Sequence, residues 1–170
     1  MTYWLTFIAV LIALLAPLAL GWIFNRDAKK YLEDHPSGEP GSPIVRPDDW
    51  TPRFTQERFQ QIIDAALDSI PLEAKDALRG VAVVPEDWPD EFLAAKYPGC
   101  LIFGVYVGAD NLQWGSRRSA FPRVIKIFQV PIEMMSTNEQ EAGERIRQTV
   151  LHEIAHHLGM GHERMGPLGL

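Results

Sequence analysis

The sequence contains one cysteine, no run of basic residues and only five histidines among its 170 residues. A single cysteine, Cys100, cannot form an internal disulfide or a cysteine-rich zinc site, so no disulfide framework holds the fold. Because Cys100 opens an apolar run, we expect it to be buried as a small hydrophobic residue. The net charge of −6 argues against nucleic acid as a partner, since a phosphate backbone requires a basic face.

A further absence lies at the N-terminus, where residues 3–24 contain no charged side chain. A helix of that length spans about 33 Å, which is enough to cross the hydrocarbon core of a bilayer. Tyr3, Trp4 and Trp22 lie towards its two ends, where aromatic rings favour the membrane interface. A cleaved signal peptide is the alternative, but the sequence lacks a basic segment before the run and a small-residue cleavage site after it. The sequence therefore predicts a transmembrane anchor within residues 1–25.

The residues that follow the predicted anchor indicate its orientation. Arg26, Lys29 and Lys30 come directly after it, whereas no basic residue precedes it. Since basic residues favour the cytoplasmic side, we expect the C-terminal domain to be cytoplasmic. Residues 26–53 are rich in proline and glycine towards their end and predict a semi-rigid juxtamembrane linker. Residues 54–170 are numerous enough for one domain with a hydrophobic core.

Helical and strand patterns follow one another along residues 54–170, so this part of the chain is predicted to contain both kinds of element. Helices are predicted from the Thr55 cap to just before Pro71, over residues 72–78 and 90–97, and from a cap at Ser136 or Thr137 to about Leu158. Strands are predicted over residues 81–84, 101–107 and 124–130, the first stopped by Pro85 and the last by Pro131. The last two strands are expected to form a hairpin-type pair. The polar loop between them, residues 108–120, either contacts substrate or is a solvated connection.

Four of the five histidines fall within the segment HEIAHHLGMGH, residues 152–162. On a helix, His152 and His156 project from nearly the same face one turn apart, so both imidazoles can bind one Zn²⁺. Glu153 lies on the adjoining flank, placed to act as general base on a water bound to the metal. His157 points about 100° away from His156, which predicts a role outside the ligand set. A helix end whose histidines merely cap carbonyl groups would explain neither Glu153 nor the glycines that follow.

The glycines determine how a third ligand can reach the metal. A continued helix would carry His162 about 15 Å along the axis from His152, too far to share a metal. Gly159 can adopt the left-handed conformation that ends a helix, after which the chain can turn back and present His162. Glu163 is the alternative third ligand. Three protein ligands leave one tetrahedral position for water, which is typical of catalytic rather than structural zinc.

Five short segments occur in order along residues 54–165: LDSIP at 67–71, VAVV at 81–84, GVY at 104–106, PIE at 131–133 and TVLHEIAHH at 149–157. This series resembles the small bacterial zincin-like metallopeptidase family. The resemblance implies a minimal zincin α+β fold, in which the active-site helix backs a short sheet and substrate lies along an edge strand. Two features depart from the family: many relatives carry an acidic residue at the position of His162, and a membrane anchor is not typical.

Together these patterns predict a membrane-anchored, zinc-dependent peptidase that cleaves peptide or protein substrates. Glu153 is predicted to pass a proton from water to the leaving amine. Tyr106, Arg117 and Arg118 are the candidates for stabilising the oxyanion. Two alternatives remain: a zinc-binding module that tethers a partner at the membrane without hydrolysis, and a purely structural membrane protein.

Overall fold

The computed structural model describes residues 42–108 and 123–160. These residues form an α+β domain, which confirms the predicted class. The predicted transmembrane helix lies outside the described residues, and within the described residues no helix combines the length and the apolar character needed to span a bilayer. In chain order the elements are α1 (Gln56–Asp68), α2 (Leu72–Ala77), β1 (Val81–Glu86), α3 (Glu91–Lys96), β2 (Gly104–Val107), β3 (Arg123–Phe128), α4 (Gln129–Met134) and α5 (Glu139–His157).

The two long helices, α1 and α5, pack against each other and cover one face of the sheet. As predicted, Thr55 caps α1, and its side chain accepts a hydrogen bond from the N–H of Arg58. Each helix buries a stripe of residues at helical spacing, and these stripes meet in the hydrophobic core. The stripe on α1 is Phe59, Ile62, Ile63 and Ala66, and the apolar stripe on α5 is Ala142, Ile146, Val150, Ile154 and Ala155.

The cap of α5 was predicted wrongly. Asn138, and not Ser136 or Thr137, is the N-cap, and its side chain accepts a hydrogen bond from the N–H of Glu141. The Glu141 carboxylate in turn accepts one from the N–H of Thr137 at 2.7 Å. The Ser136 hydroxyl instead donates to the carbonyl of Ile132, so its side chain is directed towards α4 and not towards the first turn of α5. The helix therefore begins one to two residues later than the sequence predicts, with Asn138 and Glu141 satisfying backbone N–H groups at its start.

The sheet has three strands in the order β1-β3-β2. The central strand, β3, is parallel to β1 and antiparallel to β2, as the predicted pairing of the last two strands requires. Ile125 and Ile127 of β3 are completely buried, and they face the helices as part of the main core. The loop that joins β2 to β3 lies outside the described residues. The result is one sheet backed on one face by α1 and α5.

Besides the cap of α5, four local predictions differ from the structure: two concern proline, one concerns Cys100, and the strand predicted over residues 101–107 begins only at Gly104. Pro85 lies within β1 instead of ending it, because β1 has a single neighbouring strand in the described sheet and an edge strand tolerates a missing N–H. Strand β3 ends at Phe128, and Pro131 lies in the first turn of α4, where its missing N–H would have no helical partner. Cys100 is exposed rather than buried, because it lies in the turn before β2.

A buried carboxylate, Glu133 of α4, attaches the segment before α1 to the domain. Its side chain accepts hydrogen bonds from the backbone N–H groups of Arg53 at 2.6 Å and Phe54 at 3.3 Å, and from the side chain of Gln129 at 2.7 Å. The Arg53 guanidinium donates to the carbonyls of Glu133, Ser136 and Thr137. Residues 42–53, which belong to the predicted linker, therefore pack against the domain along the part of the linker that the structure describes.

Gly104, the first residue of β2, lets this strand approach α5 closely. A Cβ atom at this position would lie 2.7 Å from the carbonyl oxygen of Lys126 and 2.7 Å from Cγ2 of Thr149 on α5. Displacing either atom would cost energy, since the Lys126 oxygen is backbone of the central strand and Thr149 lies on a helix packed against the sheet. The absence of a side chain at Gly104 is thus a condition for the packing of β2 on α5.

We predict that Gly104→Ala lowers the free energy of unfolding by about 1–3 kcal/mol, as expected for overpacking. Gly143→Ala is the matched control, because a Cβ there meets only Cγ2 of Ile62 at 3.7 Å. Gly143 lies inside α5, so this change is expected to stabilise the domain by about 0.5–1 kcal/mol. Denaturant unfolding of the two variants measures both effects. Equal stability of Gly104→Ala and wild type would contradict the packing described.

Candidate metal centre

His152 and His156 lie on consecutive turns of α5, and their imidazole rings converge. Their Nε2 atoms are 3.1 Å apart, their ring centroids 4.6 Å apart, and the rings are inclined by 80°. Two nitrogens bound at 2.0–2.1 Å to one tetrahedral zinc are separated by roughly 3.3 Å. The two imidazoles therefore fit the spacing that a shared zinc ion requires, and both side chains are half-buried, so the pair is accessible from solvent.

Glu153 is held between α5 and the sheet. Its Oε2 atom accepts a hydrogen bond from the backbone N–H of Tyr106 on β2, at 2.9 Å. Burial raises the pKa of Glu153 to about 7, and the hydrogen bond from Tyr106 opposes that shift without cancelling it. A carboxyl with a pKa near neutrality can both take up and release a proton, which is what a general base and acid must do.

The C-terminus of α5 has the geometry predicted for Gly159. This glycine adopts a left-handed conformation with φ of 79°. Its N–H donates to the carbonyl of His156 at 2.9 Å, and the N–H of Met160 donates to the carbonyl of Ala155 at 2.9 Å. These two bonds form a Schellman motif, which ends the helix and redirects the chain. The chain thus leaves the helix axis two residues after the His156–His157 pair.

The predicted third ligand, His162, and its alternative, Glu163, both follow this turn and lie outside the described residues. Within residues 42–108 and 123–160, no group of three or more His, Cys, Asp or Glu side chains is arranged to hold a metal. The described part of the site consequently brings together two imidazoles and the neighbouring carboxylate of Glu153. A third metal-binding side chain would have to come from residues outside the described ranges.

Among the residues considered for oxyanion stabilisation, Arg117 and Arg118 lie outside the described residues. The hydroxyl of Tyr106 is buried, so it is not presented to a substrate in this arrangement. The ring of Tyr106 stacks instead on His157, with ring centroids 4.6 Å apart and an angle of 28° between the planes. The sequence does not predict the contact between the Tyr106 N–H and Glu153, because every residue except proline has a main-chain N–H.

The sequence profile of a family described as zincin-like metallopeptidase matches residues 78–170, which is more than half of the chain. No curated protein gives a significant match. The matched region begins just before β1 and includes the whole sheet, α5 and the converging pair His152 and His156. It also includes the Tyr106 amide and the Glu153 carboxylate that it contacts. The chain belongs to the zincin-like metallopeptidase family.

Proposed function

We propose that this protein is a zinc-dependent peptidase in which His152 and His156 bind the metal and Glu153 is the general base and acid. One observation carries the proposal: the two Nε2 atoms converge to 3.1 Å while the adjacent Glu153 is held by an amide of the sheet. Helix capping by histidine would not require this convergence. Family membership supports the same activity and implies peptide or protein substrates.

The third ligand in this proposal is His162, with Glu163 as the alternative. Support comes from the helix end, since the Schellman motif at Gly159 turns the chain away from the axis of α5 immediately after the ligand pair. A short return of the chain then suffices to bring a side chain from residues 162–163 towards the two imidazoles. With three protein ligands, the fourth position is left for water or substrate.

The chemistry divides between the metal and the carboxylate. When bound, zinc supplies Lewis acidity, which lowers the pKa of a coordinated water and polarises a peptide carbonyl. The Tyr106 N–H holds Glu153 through Oε2, which leaves Oε1 to take the proton from the attacking water. The same carboxyl then returns the proton to the nitrogen of the leaving amine. A pKa near 7 suits both transfers at neutral pH.

The substrate is proposed to be a peptide in extended conformation along β2. In the described sheet, β2 has β3 on one side only, and the Tyr106 amide already faces away from β3 towards α5. Apart from the Tyr106 N–H, which donates to Glu153, the outer edge of such a strand can pair with an extended peptide through main-chain hydrogen bonds. Such pairing would deliver the scissile carbonyl to the side of β2 on which Glu153 lies.

We predict that Glu153→Gln lowers peptide hydrolysis by about 10²- to 10⁴-fold, because the amide cannot accept the proton. Its zinc content, measured by mass spectrometry of the full-length chain, should stay near that of wild type. Glu144→Gln is the control on the same helix, since Glu144 pairs with Arg147 and lies roughly two and a half turns from Glu153. His156→Ala should lose zinc and activity together.

Two results would contradict this function. Full hydrolysis by Glu153→Gln would exclude the proposed base. A wild-type chain that holds zinc tightly but cleaves no member of a broad peptide library would instead favour the non-hydrolytic tethering module.

We also predict that Gly159→Ala weakens zinc binding, because an alanine disfavours the left-handed turn that leads to the third ligand. Gly99→Ala is a matched control, since Gly99 also has a positive φ, of 71°, and a Cβ there has no atom within 4 Å. Both variants should lose about 1 kcal/mol of stability from the same backbone strain. Only Gly159→Ala should raise the dissociation constant for zinc, measured by competition with a chelating dye. Equal affinity in both variants would exclude a third ligand delivered by this turn.

We further propose that residues 3–24 anchor the chain in a membrane with its C-terminal domain in the cytoplasm. The support is the uncharged run itself and the basic residues at positions 26, 29 and 30. Cys100 provides a reporter, because it is the one cysteine of the sequence and it is exposed. An impermeant maleimide should label it in permeabilised cells only, and Cys100→Ser should abolish the signal. Labelling in intact cells would reverse the orientation, and a chain that remains in the soluble fraction would exclude the anchor.

A further inference from the structure

His157 is a histidine of the HEIAHH segment that the proposed zinc chemistry does not use. It follows the ligand His156 directly and points about 100° away from it around the helix. Its ring stacks on Tyr106 with centroids 4.6 Å apart and planes inclined by 28°. The last turn of α5 therefore reaches the end of β2 through a ring contact that is separate from the ligand pair.

Tyr106 is confined from a second direction by the backbone that follows it. A Cβ atom on Gly108 would lie 2.9 Å from both Cε1 and the hydroxyl oxygen of Tyr106. The ring consequently lies close over Gly108 while it stacks on His157. Contacts on two sides leave the Tyr106 ring few rotamers to adopt. Because the ring is joined to the backbone by two rotatable bonds, a fixed ring also limits the movement of the Tyr106 backbone.

The backbone so restricted is the one that contacts the catalytic carboxylate. The Tyr106 N–H donates to Oε2 of Glu153 at 2.9 Å. Strand β2 has only four residues, and in the described sheet it pairs with β3 alone. The Tyr106 amide faces away from that partner, so its hydrogen bond goes to α5 and not into the ladder of the sheet. The stack of Tyr106 on His157 is a second contact between β2 and α5, beside this hydrogen bond.

We propose that His157 is a positioning residue: by stacking on Tyr106, it holds the Tyr106 N–H on the Glu153 carboxylate. The inference rests on the proposed function, because it assigns a task to His157 within the same site. It acts through the Tyr106 backbone and touches neither substrate nor metal. Its effect is to keep Oε2 occupied, so that Oε1 is the oxygen presented for proton transfer.

The proposed positioning role depends on the flat aromatic ring of His157, and not on the capacity of its nitrogens to bind a proton or a metal. Its Nδ1 atom is buried and has no hydrogen-bond partner among the described residues. An aromatic ring without nitrogen should therefore replace it, since offset stacking requires only two flat π systems at this spacing. This property separates a positioning role from a ligand or proton-donor role.

The test compares His157→Ala and His157→Phe in the full-length, zinc-loaded chain. In His157→Ala we expect faster hydrogen exchange of the Tyr106 amide, unchanged protection of the β3 amides, and unchanged zinc content. Its kcat should fall roughly tenfold or more, as for other partners that orient active-site groups, with KM within about twofold of wild type. His157→Phe should restore both the amide protection and most of the kcat. Leu158→Ala is the control, because Leu158 is the next residue and is 60% exposed; it should change neither quantity.

Each other outcome is informative. Unchanged exchange at Tyr106 in His157→Ala would overturn the proposal. Failure of His157→Phe together with zinc loss would make His157 a metal ligand, and failure with zinc retained would make it a proton donor, so either result overturns the positioning role. If wild type cleaves no peptide, the proposed peptidase function fails, but the hydrogen-exchange pattern still decides whether His157 holds the Tyr106 amide.

Discussion

The close packing of β2 on α5 is the contact on which the site depends. Gly104 permits it, because a side chain there would collide with the backbone of β3 and with Thr149. Once the strand lies this close, the Tyr106 N–H reaches the Glu153 carboxylate at 2.9 Å. A helix alone would present Glu153 as one of several exposed carboxylates. The adjacent strand gives it a buried position, a single orientation and a pKa near neutrality.

The rest of the domain holds α5 in the place that this contact requires. The apolar stripe of α5 packs on α1 and on the core face of β3, so the helix cannot rotate without exposing completely buried side chains. The segment before α1 is in turn attached to α4 through the buried carboxylate of Glu133. Rotation of α5 by one residue would turn His152 and His156 out of the site. The hydrophobic core therefore also orients His152 and His156, and the polar network around Glu133 holds the segment before α1 against the same domain.

Local sequence patterns predicted the parts of the site that depend on helix geometry. The spacing of His152 and His156 and the break at Gly159 are both properties of a few adjacent residues, and the structure shows the convergence and the left-handed turn. Local sequence patterns gave wrong or incomplete predictions where the structure depends on contacts with residues distant in the chain. The apolar run before Pro131 predicts a strand up to that proline, whereas in the structure a helix already begins at Gln129. The contact of Glu153 with the Tyr106 amide joins residues 47 positions apart through a main-chain group, so residue identity carries no sign of it.

In the proposed site, one zinc ion is shared by the Nε2 atoms of His152 and His156, with a third ligand supplied after Gly159. Zinc K-edge X-ray absorption of the full-length, zinc-loaded chain tests it directly, because multiple scattering counts imidazoles. We expect nitrogen or oxygen ligands at about 2.0–2.1 Å, no sulfur, and three imidazoles if His162 binds or two if Glu163 does. In His156→Ala the imidazole count should fall by one or zinc should be lost. A spectrum with one imidazole or none, or with sulfur in the first coordination sphere, would contradict a zinc site built on His152 and His156.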